Sequence, residues 1–514
     1  MKKTATLLIL CILFAGKIFA QTPILTPSGP IIPNYYPWIA TNKVLVNDEN
    51  TLLSHHVADG PISMFKKVNL EHLIAYSKDT KKVITQELII PNVKEMEHIF
   101  TKKVGDEVMI FYGEQPKKSS QFIVQTTMLP QDISVGKINV KLETLFSFNI
   151  GDKESVSYYT ATSPNRLKHA FLFLILDKKK TIRKFMVMVF DEKGEVLWQE
   201  SYSPDFSDKE VIIHDFKLDD HGKTLLLVAA SSGKRRDIPD LQLMSFHENE
   251  QTSMNVEIFE EKIQDMRMLI LSNETYFVGG YYSEKKGTTV GYFSMVFDPG
   301  SETLLYKNFS KFKNDYNEKG LFGWGGKLAY VNQVYDVSCN YLFELPNGSI
   351  AMLGEQNYAY AVTDSKGLTT YRYFKKHIFC HKFALDGAKI DYEMIKRSQA
   401  LVSGVPLYGN LSKVGLSFSA FTKGNNVYLL YNDNVKNHNG KSKNWVTVIL
   451  NQPKTVCTIL ASIKEDEKTK LRVVMLPTKD KRVFNRLWAF DGERVFIGVM
   501  SPKLYFLEQF ELPE

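Results

Sequence analysis

Two stretches of the chain concentrate the side chains that most often bind metal ions: His377, Cys380 and His381, and the acid–imidazole group His214, Asp215, Asp219, Asp220 and His221. Both stretches fall in or beside predicted strands, where successive side chains point to opposite faces. Cys380 therefore faces away from the two histidines of its strand. The acid–imidazole group is typical of a strand that runs into an Asp-rich turn. We predict no metal site and no cofactor.

Sequence motifs of the common catalytic classes are missing. Residues 415–419 (GLSFS) lack the last glycine of the turn that presents a serine nucleophile, and residues 247–250 do not form the His-Glu-x-x-His zinc motif. The sequence contains no phosphate-binding loop or dinucleotide fingerprint. Whether the chain is an enzyme stays open, and the sequence favours a non-catalytic role.

Positive charge is the clearest chemical signal, and it comes in three clusters: Lys178, Lys179 and Lys180 with Arg183; Lys234, Arg235 and Arg236; and Lys285 with Lys286. Clustered cations raise the local concentration of anionic ligands. The alternative is that these residues are only the solvated tips of hairpins. We predict that they bind an anionic partner.

A second group of candidate ligand contacts combines amides with aromatic rings: Gln356, Asn357, Tyr358 and Tyr360. Rings can stack on a sugar or a peptide while amides form hydrogen bonds. Aromatic residues in β proteins belong more often to the core, which is the competing interpretation.

The elements that must position these residues are short apolar strands, each preceded by a polar turn. The pattern occurs seven times: GDEVMIFYGE (105–114), RLKHAFLFLIL (166–176), DDHGKTLLLVAA (219–230), SNETYFVGGYY (272–282), PNGSIAMLGEQ (346–356), KGNNVYLLYND (423–433) and DGERVFIGVMS (491–501). Two copies share the tripeptide Gly-Glu-Gln. Several copies are followed by two more strands joined through an Asp-Gly or Pro-Gly turn, which is a hairpin signal. Long amphipathic helical runs are almost absent.

This spacing suits a four-stranded antiparallel unit with one long loop, and the chain resembles a β-propeller in general, over residues 41–514. It lacks the signatures of WD40, kelch and sialidase blades, and is similar to the degenerate propellers of exported bacterial proteins. The resemblance implies an all-β fold, most often seven blades with six or eight as alternatives, closed by strands from both termini. Two β domains divided near residues 310–330 are the other architecture considered.

Within such blades, named A to D from the ring axis outwards, the A–B and C–D turns share one face and the B–C loops lie on the other. The predicted B–C loops carry about twice as many basic as acidic residues: 113–122, 176–184, 230–240, 281–290, 354–372 and 432–444. The turns on the opposite face carry an excess of acids. We therefore expect one basic and one acidic face.

The first twenty residues have the form of a secretory signal, with Lys2 and Lys3 before an apolar run and Ala20 at the end. Export to the periplasm or the cell surface follows from it.

The proline-rich residues 21–40 are predicted to form an arm ahead of the propeller. Cys339, Cys380 and Cys457 are too few for a disulfide scaffold. Apart from the signal, no apolar run is long enough to span a membrane, so the processed chain is not expected to be an integral membrane protein.

Composition agrees with a folded protein, because 44% of the 514 residues are hydrophobic and 24% are charged, with a formal charge of +7. The predicted function is an exported binding or scaffold propeller that engages an anionic glycan or a cell-envelope protein through its basic face. The alternative is a carbohydrate-active hydrolase or lyase with its site in the central funnel. Export disfavours a nucleic-acid partner.

Overall fold

A computed structural model describes residues 26–512 except for the following: 34–38, 48–50, 64–65, 79–82, 92–95, 117–118, 152, 205–209, 232–239, 257–261, 284–288, 302, 313–336, 404–415, 439–446, 450–452, 465–466, 478–482 and 501–503. The predicted signal segment, residues 1–20, lies outside the described residues. Almost all of the described secondary structure is β-strand.

Four sheets form the first half of the chain, and we number them as blades in chain order. Blade 1 contains β2 (Ile39–Asn47), β3 (Thr51–Ser63), β4 (Lys66–Ser77) and β5 (Val83–Ile89), with β9 (Gly136–Asn139) added in parallel at its edge. Blade 2 contains β6 (Met96–Val104), β7 (Glu107–Glu114), β8 (Gln121–Pro130) and β10 (Glu143–Asn149). Blade 3 contains β11 (Ser155–Thr162), β12 (Lys168–Leu176), β13 (Ile182–Asp191) and β14 (Val196–Tyr202). Blade 4 contains β15 (Glu210–Leu218), β16 (Thr224–Ser231), β17 (Asp240–His247) and β18 (Glu250–Val256).

The second half of the chain forms four more sheets. Blade 5 contains β19 (Lys262–Ile270), β20 (Tyr276–Ser283), β21 (Gly291–Asp298) and β22 (Thr303–Lys311). Blade 6 contains β23 (Val337–Glu344), β24 (Ile350–Thr363), β25 (Thr369–Phe383) and β26 (Lys389–Ile395), extended by β27 (Gln399–Ser403) and β30 (Val448–Ile449). Blade 7 contains β28 (Phe418–Lys423), β29 (Asn426–Asn434), β31 (Val456–Ile463) and β32 (Lys470–Met475). Blade 8 contains β33 (Val483–Phe490), β34 (Arg494–Met500), β35 (Leu504–Glu511) and β1 (Thr26–Pro33).

The hydrophobic core is divided into layers between neighbouring blades. A cluster of buried apolar side chains fills each junction from blade 1–blade 2 to blade 7–blade 8. Blade 8 meets blade 1 through Tyr76, whose ring lies 6.0 Å from Phe496, and through a 2.9 Å ion pair between Lys78 and Asp491. Each blade thus covers the apolar face of the next, and the sheets close into a β-propeller.

Closure uses strands from both ends of the chain, as the sequence predicts. β1 adds to β35 as the outermost strand of blade 8, with Thr26 opposite Gln509 and Pro33 opposite Leu504. This strand comes from the proline-rich residues 21–40, and prolines are tolerated there because an outermost strand has one unpaired edge. Residues 39–89 form a complete sheet of their own, so the described residues make eight blades, one of the alternative counts that the sequence left open.

Two short 3-10 turns, Val435–Asn437 and Pro453–Thr455, stand out from the strands. Over the described part of the chain, no helix has the length and apolar character needed to cross a bilayer. Cys339, Cys380 and Cys457 are buried free thiols that belong to different core layers or strands. Packing and hydrogen bonds, rather than disulfides, hold the described blades together.

Candidate functional site

The antiparallel order of each blade separates its connections into two faces. A–B turns of adjacent blades touch directly: the Asn165 backbone N–H donates to Asp220 at 3.0 Å, and the Asn347 N–H donates to Asn425 at 3.0 Å. The B–C connections leave the opposite ends of the same strands. Any side chain at a B–C connection therefore lies on the face away from these turns.

The B–C turn of blade 3 presents three lysines to solvent. Asp177 organises it, because its carboxylate accepts the backbone N–H groups of Lys179 at 2.8 Å and Thr181 at 2.9 Å. Arg183 binds the other carboxylate oxygen at 2.8 Å. The Thr181 hydrogen bond first, then those of Lys179 and Arg183, hold the pKa of Asp177 below its ordinary value. The turn acid is neutralised locally, while the Lys178, Lys179 and Lys180 side chains are exposed.

Lys180 adopts a backbone conformation that normally selects glycine. Its φ is 66°, and the same Asp-x-x-Gly turn places Gly194, Gly222 and Gly367 at φ angles of 94°, 96° and 79°. An L-residue in the left-handed region costs about 1–2 kcal/mol. The turn at residues 177–180 therefore carries a lysine where a glycine is conformationally cheaper, and Arg166 and Glu274 do the same in A–B turns of the opposite face, at φ angles of 64° and 65°.

Acids at the B–C ends of other blades are withdrawn from solvent. Glu114 is buried and accepts a 2.7 Å hydrogen bond from Gln125. Asp433 is buried and pairs with His438 at 2.7 Å. Glu355 is completely buried. Glu114, Glu355 and Asp433 are therefore buried, whereas Lys178, Lys179 and Lys180 and also Asp364 of the blade 6 hairpin turn are exposed.

Glu355 is the centre of a buried ionic network that sequence reasoning missed. It pairs with Arg397 and with Lys375, the latter at 2.9 Å, and it accepts a 2.8 Å hydrogen bond from the Ser417 hydroxyl. Burial alone raises the pKa of Glu355, but the two cations outweigh it, and the net shift is downward. The available signal was the shared Gly-Glu-Gln tripeptide, because Glu114 and Glu355 are both buried within a B strand.

The predicted loop 354–372 is in fact the middle of a long hairpin. β24 and β25 continue past the blade, with Tyr358 opposite Phe374 and Thr363 opposite Thr369, so only residues 364–368 form the turn. One side of this hairpin packs on blade 7, where Tyr373 contacts a cluster that includes Leu416 and Val456. The hairpin projects from the B–C face because it extends strands B and C.

The four candidate contacts on this hairpin have different environments. Gln356 is buried, and the Asn357 amide donates to the Ser338 hydroxyl at 3.1 Å, so both support the strand. Tyr358 and Tyr360 are half-buried and stack with Phe374 at ring-centre distances of 4.8 and 5.6 Å. The two tyrosines are thus better placed than the two amides to meet a ligand.

The remaining basic candidates, Lys234, Arg235, Arg236, Lys285 and Lys286, lie outside the described residues. They fall in the B–C connections of blades 4 and 5, between β16 and β17 and between β20 and β21. Their contribution to the basic face stays a prediction.

The opposite face has an acidic cleft of about 660 Å³ between the turns of blades 4 and 5. Its acids are largely engaged in turns: Asp219 accepts the His221 and Lys223 backbone N–H groups, and Glu344 accepts the Ser272 N–H at 2.8 Å. These carboxylates serve as hydrogen-bond acceptors within and between turns.

The innermost strands carry a repeated carboxylate contact that the sequence did not reveal. The Asp215 carboxylate accepts hydrogen bonds from the backbone N–H of Phe216, at 3.0 Å, and from that of Met268 in the next blade, at 2.9 Å. Asp265 repeats this pattern with Met266 and with Cys339 at 3.0 and 2.9 Å. Both aspartates lie at strand irregularities. These acids near the ring axis connect blades.

The stretches that resemble metal ligands are separated by the fold. His381 packs among the rings between blades 5 and 6, including Tyr292 at 3.9 Å, while Cys380 faces the layer between blades 6 and 7. Cys380 and His381 face opposite sides of the strand, as predicted, and His377 and His381 are both buried. Within the described residues, no three His, Cys, Asp or Glu side chains are grouped as metal ligands.

No protein-family model and no curated protein sequence matches this chain. Among solved structures, it is similar to the WD40 domain of SCAP from fission yeast, at 9% identity over 95% of this chain and 98% of that chain, with a TM-score of 0.40. The β-propeller domain of the Trilobed protease from Pyrococcus furiosus has 9% identity over 72% and 96% of the two chains, with a TM-score of 0.31. A protein of unknown function from Bacteroides caccae has 12% identity over 66% and 93%, with a TM-score of 0.28. The eight sheets and the apolar layers between them make the chain a β-propeller protein, and its function must be inferred from its own side chains.

Proposed function

We propose that this chain is an exported, non-catalytic binding propeller that docks an anionic glycan or cell-envelope protein on its B–C face. The observation that carries the proposal is the accessibility of charge on that face. Lys178, Lys179 and Lys180 are exposed, whereas Glu355 and Asp433 are buried and paired. An anion that approaches this face meets cations first.

The left-handed conformation of Lys180 supports the same proposal. A glycine there would relieve about 1 kcal/mol or more of backbone strain. A binding role for its charge is one reason to keep a lysine at that cost, although Arg166 and Glu274 on the opposite face share the conformation. Export rests on the signal-like residues 1–20.

The test is retention of the purified protein on phosphocellulose at low salt. The variant Lys178→Gln/Lys179→Gln/Lys180→Gln is expected to elute at much lower salt, since each lysine near an anionic surface contributes about 1 kcal/mol. The matched control is Lys103→Gln/Lys193→Gln/Lys423→Gln, which removes three exposed lysines from the opposite face. Equal loss of retention in both variants would mean that only net charge matters, and the proposed face would be rejected.

A further inference from the structure

The projecting hairpin of blade 6 carries aromatic and cationic side chains on one face. Residues directly opposite each other in an antiparallel pair share a face, and so do residues two positions apart. Tyr358 lies opposite Phe374, and Tyr360 lies opposite Arg372. These four side chains therefore form two adjacent rungs, about 7 Å apart along the strands.

The rings of these rungs are nearly parallel. Tyr358 and Tyr360 are inclined to Phe374 by 10° and 13°. At the end nearer the blade, the Lys376 ammonium lies over the Tyr358 ring, 5.7 Å from its centre. Cations thus stand at both ends of a short aromatic strip, which we define as Tyr358, Tyr360, Arg372, Phe374 and Lys376.

Arg372 is the member of the strip whose charge has no acidic partner in the hairpin. The only carboxylate between residues 357 and 376 is Asp364 in the turn, and it accepts the backbone N–H groups of Lys366 and Leu368 at 2.8 and 2.9 Å. Arg372 forms no ion pair with any described residue, and its Nε is buried without a hydrogen-bond partner. Because Arg372 has no acidic partner among the described residues, its two terminal nitrogens can bind a carboxylate or sulfate ligand through two parallel hydrogen bonds.

Size distinguishes the kinds of anionic partner. A standard protein interface covers about 800 Å² on each side, and a strip two rungs long is far smaller. A linear polymer needs only a strip, and it can reach a second positive site on the same face. Lys178, Lys179 and Lys180 provide such a site, which adds avidity without new contacts at the hairpin.

We infer that the partner is an acidic polysaccharide, a linear glycan with carboxylate or sulfate groups, and that the hairpin strip is its aromatic subsite. Sugar rings would lie against the tyrosines while Arg372 binds an acidic substituent. This inference rests on the proposed function and specifies the ligand class for the same face.

Isothermal titration with oligogalacturonate, a uniformly acidic glycan, tests the strip. Arg372→Gln and Tyr358→Leu/Tyr360→Leu are each expected to weaken binding about tenfold, since leucine keeps an apolar strand residue but removes the ring. Neutral malto-oligosaccharide of equal length is the ligand control, and Lys193→Gln on the opposite face is the protein control. Circular dichroism and the unfolding midpoint establish that the variants fold.

The outcomes separate the two proposals. If both strip variants bind oligogalacturonate with unchanged affinity while the triple lysine variant still loses affinity, the subsite is rejected but the basic face is kept. If poly-glutamate binds as tightly as oligogalacturonate and is weakened equally by Arg372→Gln and by Tyr358→Leu/Tyr360→Leu, the partner is an acidic protein and the glycan inference is overturned. Absence of binding to every polyanion rejects both. Acid-glycan binding that depends on the strip, with weak poly-glutamate binding, supports the inference.

Discussion

The Asp215 carboxylate accepts a 2.9 Å hydrogen bond from the Met268 backbone N–H, and this contact joins the innermost strand of blade 4 to that of blade 5. The same carboxylate also accepts the Phe216 N–H at 3.0 Å. Because Asp215 is buried, water cannot replace it readily. Polar contacts between the innermost strands therefore stabilise the junction of these two blades, in addition to the apolar layer between them.

Asp215→Ala is expected to lower the free energy of unfolding by about 2–3 kcal/mol, because two buried amides lose their acceptor. Urea unfolding followed by intrinsic fluorescence measures the change. The control is Asp364→Ala, which also removes an acceptor of two backbone amides, but in an exposed turn where water can substitute. Equal destabilisation in the two variants would contradict a role for burial.

Lys180→Gly is expected to stabilise the protein by about 1 kcal/mol, since glycine accepts φ > 0 without steric cost. The reciprocal change, Gly367→Ala, should destabilise by a similar amount. No atom lies within 4 Å of a Cβ built at Gly367, so that variant isolates the backbone effect. Thermal unfolding measures both. If Lys180→Gly also weakens retention on an anionic matrix, stability and binding are opposed at this position.

Glu355→Gln is expected to be strongly destabilising, by about 3–5 kcal/mol, because it leaves the buried Arg397 charge without its partner. The control is the ion pair between Lys137 Nζ and Glu87 Oε2, which are 3.0 Å apart at the surface. Glu87→Gln should cost about 1 kcal/mol or less. Denaturant midpoints of the two variants give the comparison, and a small loss in Glu355→Gln would mean that the buried network contributes little.

Stability should fall as the pH decreases below about 6.5, and His381 should account for part of the loss. Burial first, and the Lys389 ammonium second, hold the pKa of His381 well below its ordinary value. Below the unfolded-state pKa of about 6.5, the unfolded chain binds a proton that the folded chain does not, which favours unfolding. His381→Phe should therefore reduce the stability difference between pH 7.5 and 5.0, by at most about 2 kcal/mol, the full linkage of one histidine over that range. Parallel pH profiles for the two proteins would contradict this assignment.

The sequence alone predicted the propeller, because apolar strands and tight turns are local patterns that recur along the chain. It also indicated closure by both termini and the alternation that separates Cys380 from His381. It did not predict that residues 354–372 continue as strands, because their polar and aromatic composition is compatible with either a loop or a projecting hairpin. Pairing with β27 and packing on blade 7 decide that question.

Only the tertiary structure decided which charged side chains on the candidate face are exposed and which are buried in ion pairs. A lysine or glutamate has the same letter whether exposed or buried, and Glu355 becomes a buried partner only because Lys375, Arg397 and Ser417 converge on it from distant segments. The same holds for Asp215, whose acceptor role requires the neighbouring blade. The periodic pattern of the sequence sets the fold because each strand is local, whereas the accessibility and pairing of charge depend on contacts between blades.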